Sequence, residues 1–423
     1  MMANKLFCVG IDLCSDFSQV AYFNYKDTEP VSVDFDGMEH KYRIPTVVCK
    51  ATGREEWFAG VDAVRFAKSG EGVLVDGLLD KAAAKNPVNV DDVVIMPIEL
   101  IKVYLDYLLQ IARKTGGSDT IDKICITIED FNISILNVIA KALVELGIDK
   151  EHYEIISHGE SFIFYTLNQK RELFRGDVML FDYSTRGLSV NRMYIANERG
   201  LKIVMIQTDD FSNEVPYSLS ENKTSLDLLD SRLKDAAVHT MEKHNVTSVF
   251  LIGRGFSDDI KLQDFIKYVC NRKRVFAGQN LYSKGACYAA SNGLLTNNVR
   301  DYLIACAQRI TTGIEMKISD RGKDKILRMI RPGINWFGAD CSYDFIVDDM
   351  KELELFLSPV DTKEKQLVRI SLEDFPIRPN KTTRVTLSLS FTSDSRCHLM
   401  VKDRGFGEFY QSSGSVINEE LLL

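Results

Sequence analysis

Two aspartates close apolar runs in the same way along this 423-residue chain. Val9-Gly10-Ile11-Asp12 and Met179-Leu180-Phe181-Asp182 each read as a buried strand with a carboxylate at its C-terminal end. In open α/β sheets that edge is where ligands bind. A third apolar run, Val249-Phe250-Leu251-Ile252, enters the turn Gly253-Arg254-Gly255. A strand feeding a glycine-rich turn and then a helix suits an anion or a nucleotide. Taken in this order, the three edges point to a ligand held between repeated α/β halves.

The elements that must position these groups follow from periodicity. Residues 6–13 form an apolar strand, 19–25 its hairpin partner and 46–49 a third strand. Ile98, Ile101, Leu105, Leu108, Leu109 and Ala112 keep helical spacing until Gly116-Gly117 stops the helix. Residues 123–128 are strand-like, and 133–146 form a helix capped by Gly147. Strands at 177–181 and 188–195 then repeat the opening hairpin, and a helix over 225–243 follows. Beyond residue 310 the segments turn short and β-rich: 325–330, 353–357, 367–370, 384–391 and 398–402. Val385, Leu387, Leu389 and Phe391 alternate with polar residues, as in a half-buried antiparallel strand. The expected architecture is therefore α/β plus β. An α/β domain fills residues 1–297, with lobes at 1–176 and 177–297. A linker at 298–312, a β-sandwich at 313–410 and an exposed tail at 411–423 complete it.

Composition narrows the function. The net charge of −8 argues against a nucleic-acid partner, and the one basic run, Arg272-Lys273-Arg274, reads as cations at a helix C-terminus. The nine cysteines include no CxxC, and His239 and His244 sit five apart on different helix faces. Free thiols, a reducing cytoplasmic compartment and no zinc site are expected. No apolar stretch is long enough for membrane insertion.

The order of motifs resembles the DnaK-type heat-shock chaperones of the actin-like (ribonuclease H-like) ATPase superfamily. Gly10-Ile11-Asp12-Leu13 with Ser15 is similar to the family's first phosphate motif. Ile44-Pro45-Thr46, Ile126-Thr127-Ile128 with Phe131, and Leu146-Gly147-Ile148 resemble its early landmarks. His158-Gly159-Glu160-Ser161 stands in its "NEPTAA" segment, and Lys284-Gly285-Ala286-Cys287-Tyr288-Ala289-Ala290 resembles "AVAYGAA". Thr312-Gly313-Ile314-Glu315, Phe375-Pro376-Ile377-Arg378-Pro379 and the stretch from Leu399 to Gly407 resemble its peptide-binding β-domain. The resemblance spans roughly residues 5 to 410. It implies a duplicated actin-like domain with a reduced outer subdomain, ATP with Mg²⁺ as cofactor, and a protein or peptide client. It assigns the nucleotide to Gly10, Asp12, Ser15, Asp182, Arg186, Gly187, Gly253 and Gly255, and Mg²⁺ to Asp12 and Asp182. Asp12, Glu160 and Asp182 would surround the attacking water. Ile346, Val347 and Met350 fall on a loop near the family's peptide loops.

The phosphate chemistry is eroded. A phosphate loop needs backbone N–H groups close to the ligand, which glycine permits. Where the family has Asp-Leu-Gly-Gly-Gly-Thr, this chain has Asp182-Tyr183-Ser184-Thr185-Arg186-Gly187. Cys14 replaces a glycine, Asp16 replaces a phosphate-binding threonine, and Asp76-Gly77-Leu78-Leu79 stands near the catalytic lysine, for which Lys81 is a poor substitute. The three acids read either as a residual Mg–nucleotide site or as inherited strand-end acids that cap turns or pair with Arg186. The missing positive charge favours the second. A non-catalytic protein-binding relative is thus expected first, an active chaperone ATPase second, and an actin-like assembly protein third.

Overall fold

The computed structural model describes residues 6–34, 42–198, 200–221, 223–256, 261–348, 351–360, 362 and 364–423. Its chain divides into two compact units, residues 1–196 with 204–302, and residues 197–203 with 303–423.

The first unit carries two sheets of mixed sense. In one, Phe7–Leu13 pairs antiparallel with Phe17–Asn24 and parallel with Lys123–Ile128, which in turn pairs parallel with Tyr153–Ser157. In the other, Asp177–Ser184 pairs antiparallel with Gly187–Glu198 and parallel with Val246–Ile252, with Arg274–Ala277 parallel beyond. The two sheets share one strand order. Phe7–Leu13 is buried at every position, as a central strand covered on both faces must be. Helix Pro97–Gly116 begins on Pro97 and ends where Gly117 turns left-handed, as the glycine pair predicts. Asn132 caps helix Ile133–Glu145 by accepting from the Ser134 N–H.

The core of this unit depends on a wedge. Helix Leu281–Ser291 is buried at every position except Lys284 and lies against Phe7–Leu13 on one side and helix His158–Leu167 on the other. A Cβ on Gly10 would come within 2.2 Å of the Cys287 nitrogen, and one on Gly285 within 2.1 Å of the Ser161 carbonyl oxygen. Both glycines are therefore required by backbone approach.

The second unit contains two four-stranded antiparallel sheets. One runs Lys323–Ile330, Thr312–Asp320, Glu352–Pro359, Gln366–Ser371. The other runs Cys341–Val347, Thr383–Phe391, Arg396–Gly405, Val416–Leu422. Val385, Leu387 and Leu389 are fully buried, as their alternation predicts. Two expectations are corrected. The tail at 411–423 is not free: Val416–Leu422 pairs along Arg396–Gly405, and Leu421 is buried by it. Ile346 and Val347 belong to an edge strand instead of a loop, because Cys341–Val347 alternates half-buried with exposed residues and pairs with Thr383–Phe391. Met350 lies outside the described residues. Among the described residues no helix is long and apolar enough to cross a membrane.

Candidate functional site

Phe7–Leu13, Asp177–Ser184 and the turn after Val246–Ile252 deliver their C-terminal ends to one cleft of the first unit. Asp12, Asp182 and Gly253 line it, together with Cys14, Asp16, Gln19, Arg43, Glu129, His158, Ser184, Thr185, Arg254, Gln279 and Tyr282. The other residues expected at a nucleotide do not join them. Gly10 is covered by the backbone of the wedge helix, and Ser15, on the bend after the first strand, does not line the cavity. Gly187 closes the turn of its hairpin against Ser212, and Gly255 packs on the Tyr183 ring while its N–H donates to the Tyr183 carbonyl at 2.8 Å. Arg186 points outward and pairs with Glu129 at 3.2 Å, so it meets none of the strand-end aspartates. Glu160 is fully buried as the third residue of its helix, where it and Ser157 cap each other's backbone N–H groups. Lys81 reaches back to the Asp76 carbonyl, at 2.6 Å.

A tight polar cluster fills the floor. His158, the first residue of helix His158–Leu167, places Nε2 at 2.9 Å from Asp12 Oδ1. The Cys14 thiol donates to the same oxygen at 3.3 Å and lies 3.8 Å from His158 Nε2. The His158 ring stacks on Tyr282 with centroids 3.8 Å apart, and the Tyr282 hydroxyl donates to Asp182 Oδ2 at 2.9 Å. One chain of contacts thus joins both strand-end aspartates. The expectation of no zinc site overlooked this grouping, since Cys14 and His158 are 144 positions apart.

Electrostatics follow from crowding in a confined space. Burial raises the Asp182 carboxyl to about 6, against the opposing pull of His158 and the Tyr282 hydroxyl. Burial also disfavours imidazolium at His158, but the Asp12 carboxylate outweighs it and the histidine pKa rises. Burial and the neighbouring Asp12 push the Cys14 thiol well up, so that it stays neutral. At the rim Asp16 pairs with Arg254 at 3.7 Å, and the Arg254 guanidinium lies 5.3 Å from the centre of the Phe17 ring. Asp16 therefore has a cationic partner, and Asp16→Thr should change stability by no more than about 0.5 kcal/mol in a urea melt.

Asp182 gives a pH prediction. Its folded pKa lies above the unfolded carboxylate value, so the folded state holds the proton more tightly. The contribution of Asp182 to stability is most favourable at low pH and declines between about pH 4 and pH 6 as the buried carboxyl must ionise. Asp182→Asn should remove that decline and stabilise the protein by about 1–2 kcal/mol at neutral pH. Urea denaturation at acidic and neutral pH checks it; equal losses in both proteins would contradict the assignment.

ATP with Mg²⁺ does not fit this cleft. Its volume is about 110 Å³, whereas pockets enclosing ligands of drug size run to about 300–1,000 Å³. Ser184 and Thr185 line it where the resemblance calls for glycine, and thiol and imidazole are poor partners for Mg²⁺.

Residues 29–307 match the family described as "Family of unknown function (DUF5716) C-terminal". The chain belongs to that family. Residues 309–423 match a second description, "Domain of unknown function (DUF8552)". A comparison with curated proteins returns no match. The matched family span contains Glu129, His158, Asp182, Arg254 and Tyr282, while Asp12, Cys14 and Asp16 precede it. The change from one match to the other at residue 308 lies close to the change of compact unit after Tyr302.

Proposed function

We propose that this member of the family is a non-catalytic, protein-binding relative of the DnaK-type chaperones. In this reading the first unit is a duplicated actin-like frame and the second a β-sandwich that receives an extended apolar segment of a client protein. One observation carries the reading: the second unit has a cavity of about 330 Å³ beside a sheet edge. Val347, Leu372, Phe375 and Ile377 line it together with the polar Lys351, Glu373, Arg378 and Asn380, and Val347 is also the last residue of the edge strand Cys341–Val347. An edge strand offers unpaired backbone groups to an added strand, and the mixed apolar and polar cavity would take an alternate side chain. Ile377 is fully exposed and Ile346 is 55 % exposed.

The ATPase alternative is disfavoured by the small polar cleft in the first unit. Millimolar Mg–ATP should leave the melting temperature unchanged, whereas a site of micromolar affinity would add about 4 kcal/mol. For the binding reading, fluorescent peptides of alternating apolar sequence should bind the full chain, and Val347→Lys should weaken them at least about tenfold. Failure of every apolar peptide to bind would end this reading; a large ATP-dependent stabilisation would revive the enzyme.

A further inference from the structure

We infer that Asp12, Cys14 and His158 form a binding site for a borderline-soft divalent cation of the zinc type. Carboxylate oxygen, thiol sulfur and imidazole nitrogen all lie within 4.8 Å of one another. Tetrahedral coordination at bond lengths of about 2.0–2.3 Å places donor atoms about 3.3–3.8 Å apart. Cys14 Sγ lies 3.3 Å from Asp12 Oδ1 and 3.8 Å from His158 Nε2, so both separations already fit. The 2.9 Å contact between His158 and Asp12 must open by only a few tenths of an ångström.

The donors are held in place by the fold. Asp12 is the penultimate residue of a central strand and Cys14 follows directly after that strand, while His158 starts a helix that the wedge helix packs against. Stacking on Tyr282 fixes the imidazole plane. Three protein ligands leave the fourth position of a tetrahedral ion open. A second observation points to its occupant: Gln19, only 7 % exposed, lines the same cavity and its Oε1 has no hydrogen-bond partner among the described residues. Water on the ion would supply the missing donor. Arg186 and Arg254 pair with Glu129 and Asp16 at the same cavity, which leaves Asp12 and Asp182 as its acids without an arginine partner among the described contacts. Once the ion displaces the Cys14 thiol proton to solvent, thiolate and imidazole favour zinc, cobalt or ferrous ion over Mg²⁺. The inference is independent of peptide binding by the second unit.

Cobalt titration of the metal-stripped full chain tests it. One equivalent should bind with a thiolate-to-metal charge-transfer band, displaced by Zn²⁺ and indifferent to excess Mg²⁺. Cys14→Ser should abolish the band, Cys270→Ser at an exposed cysteine should retain it, and His158→Ala should weaken binding at least about 100-fold. Absence of saturable uptake, or a band that survives both Cys14→Ser and His158→Ala, would overturn the proposal. Should those variants fail to fold, the wild-type chain decides: equimolar Zn²⁺ must raise its melting temperature, and an unchanged value overturns the site.

Discussion

Replacing Asp403 with alanine is expected to destabilise the second unit by about 3–5 kcal/mol, the cost of breaking a buried ion pair from one side. The carboxylate is fully buried and grips Arg378 through two parallel bonds of 2.7 Å. It also accepts from the Gly405 and Ser413 N–H groups and from the Ser413 hydroxyl. One side chain therefore ties the segment after Phe375 and the turn before the last strand to the sheet. Removing it strands a guanidinium that is only 5 % exposed. The hydrogen bond to Arg378 holds the Asp403 carboxyl far below the ordinary carboxylate range. The unfolded chain takes up a proton near pH 4 and the folded one resists it, so the stabilisation is complete above about pH 4 and fades on further acidification. Urea melts of Asp403→Ala and Asp403→Asn measure both effects. A loss under about 1 kcal/mol for the alanine variant would show that the network contributes little. Because Arg378 lines the cavity of the second unit, the same variants should also bind peptide less tightly.

The second large effect is expected in the first unit. Gly285→Val should cost about 3 kcal/mol or more, at the upper end of overpacking penalties. Its Cβ would fall 2.1 Å from the Ser161 carbonyl oxygen, and a backbone atom in a helix cannot swing aside. Gly10→Val should be comparable, since its neighbours are the Ser283 oxygen and the Cys287 nitrogen, again backbone. Either change forces the wedge helix away from the strand or the adjoining helix and pulls Tyr282 off His158. Chemical denaturation gives the answer; wild-type stability in Gly285→Val would mean that the helices are not packed this closely.

Much of the framework was legible before any coordinates. Continuous apolar runs ending in Asp12 and Asp182 identified the central strands, and Gly117 and Gly147 mark helix ends with positive φ as their positions suggest. The antiparallel alternation at Val385 to Phe391 was equally readable. What failed depended on distance in sequence. His158 was visible only as a departure from a family motif, because the helix it begins is apolar on nearly every side and offers no stripe to orient it. Its place directly after a strand end was the available clue. Glu160 was read as an acid near magnesium when it is a helix cap, and Ser157 three residues earlier already carried that signal. Tyr343, Phe345 and Val347 alternate with Ser342, Asp344 and Ile346, so the edge strand could have been found had the family's loop positions not been imposed on it. The last strand has Leu421 as its one deeply buried residue, too little apolar signal to separate it from a loose end.

That last strand sets a timetable for folding. Cys341–Val347 and Val416–Leu422 form opposite margins of a single sheet, and Ser413 reaches Asp403 just ahead of the final strand. During synthesis the sheet stays incomplete until residue 422 has left the ribosome, while the first unit, which ends at Tyr302, has most of its pairing partners available earlier. The nascent second unit must therefore wait with the backbone edge of Arg396–Gly405 unpaired, and chaperone dependence should concentrate in residues 303–423.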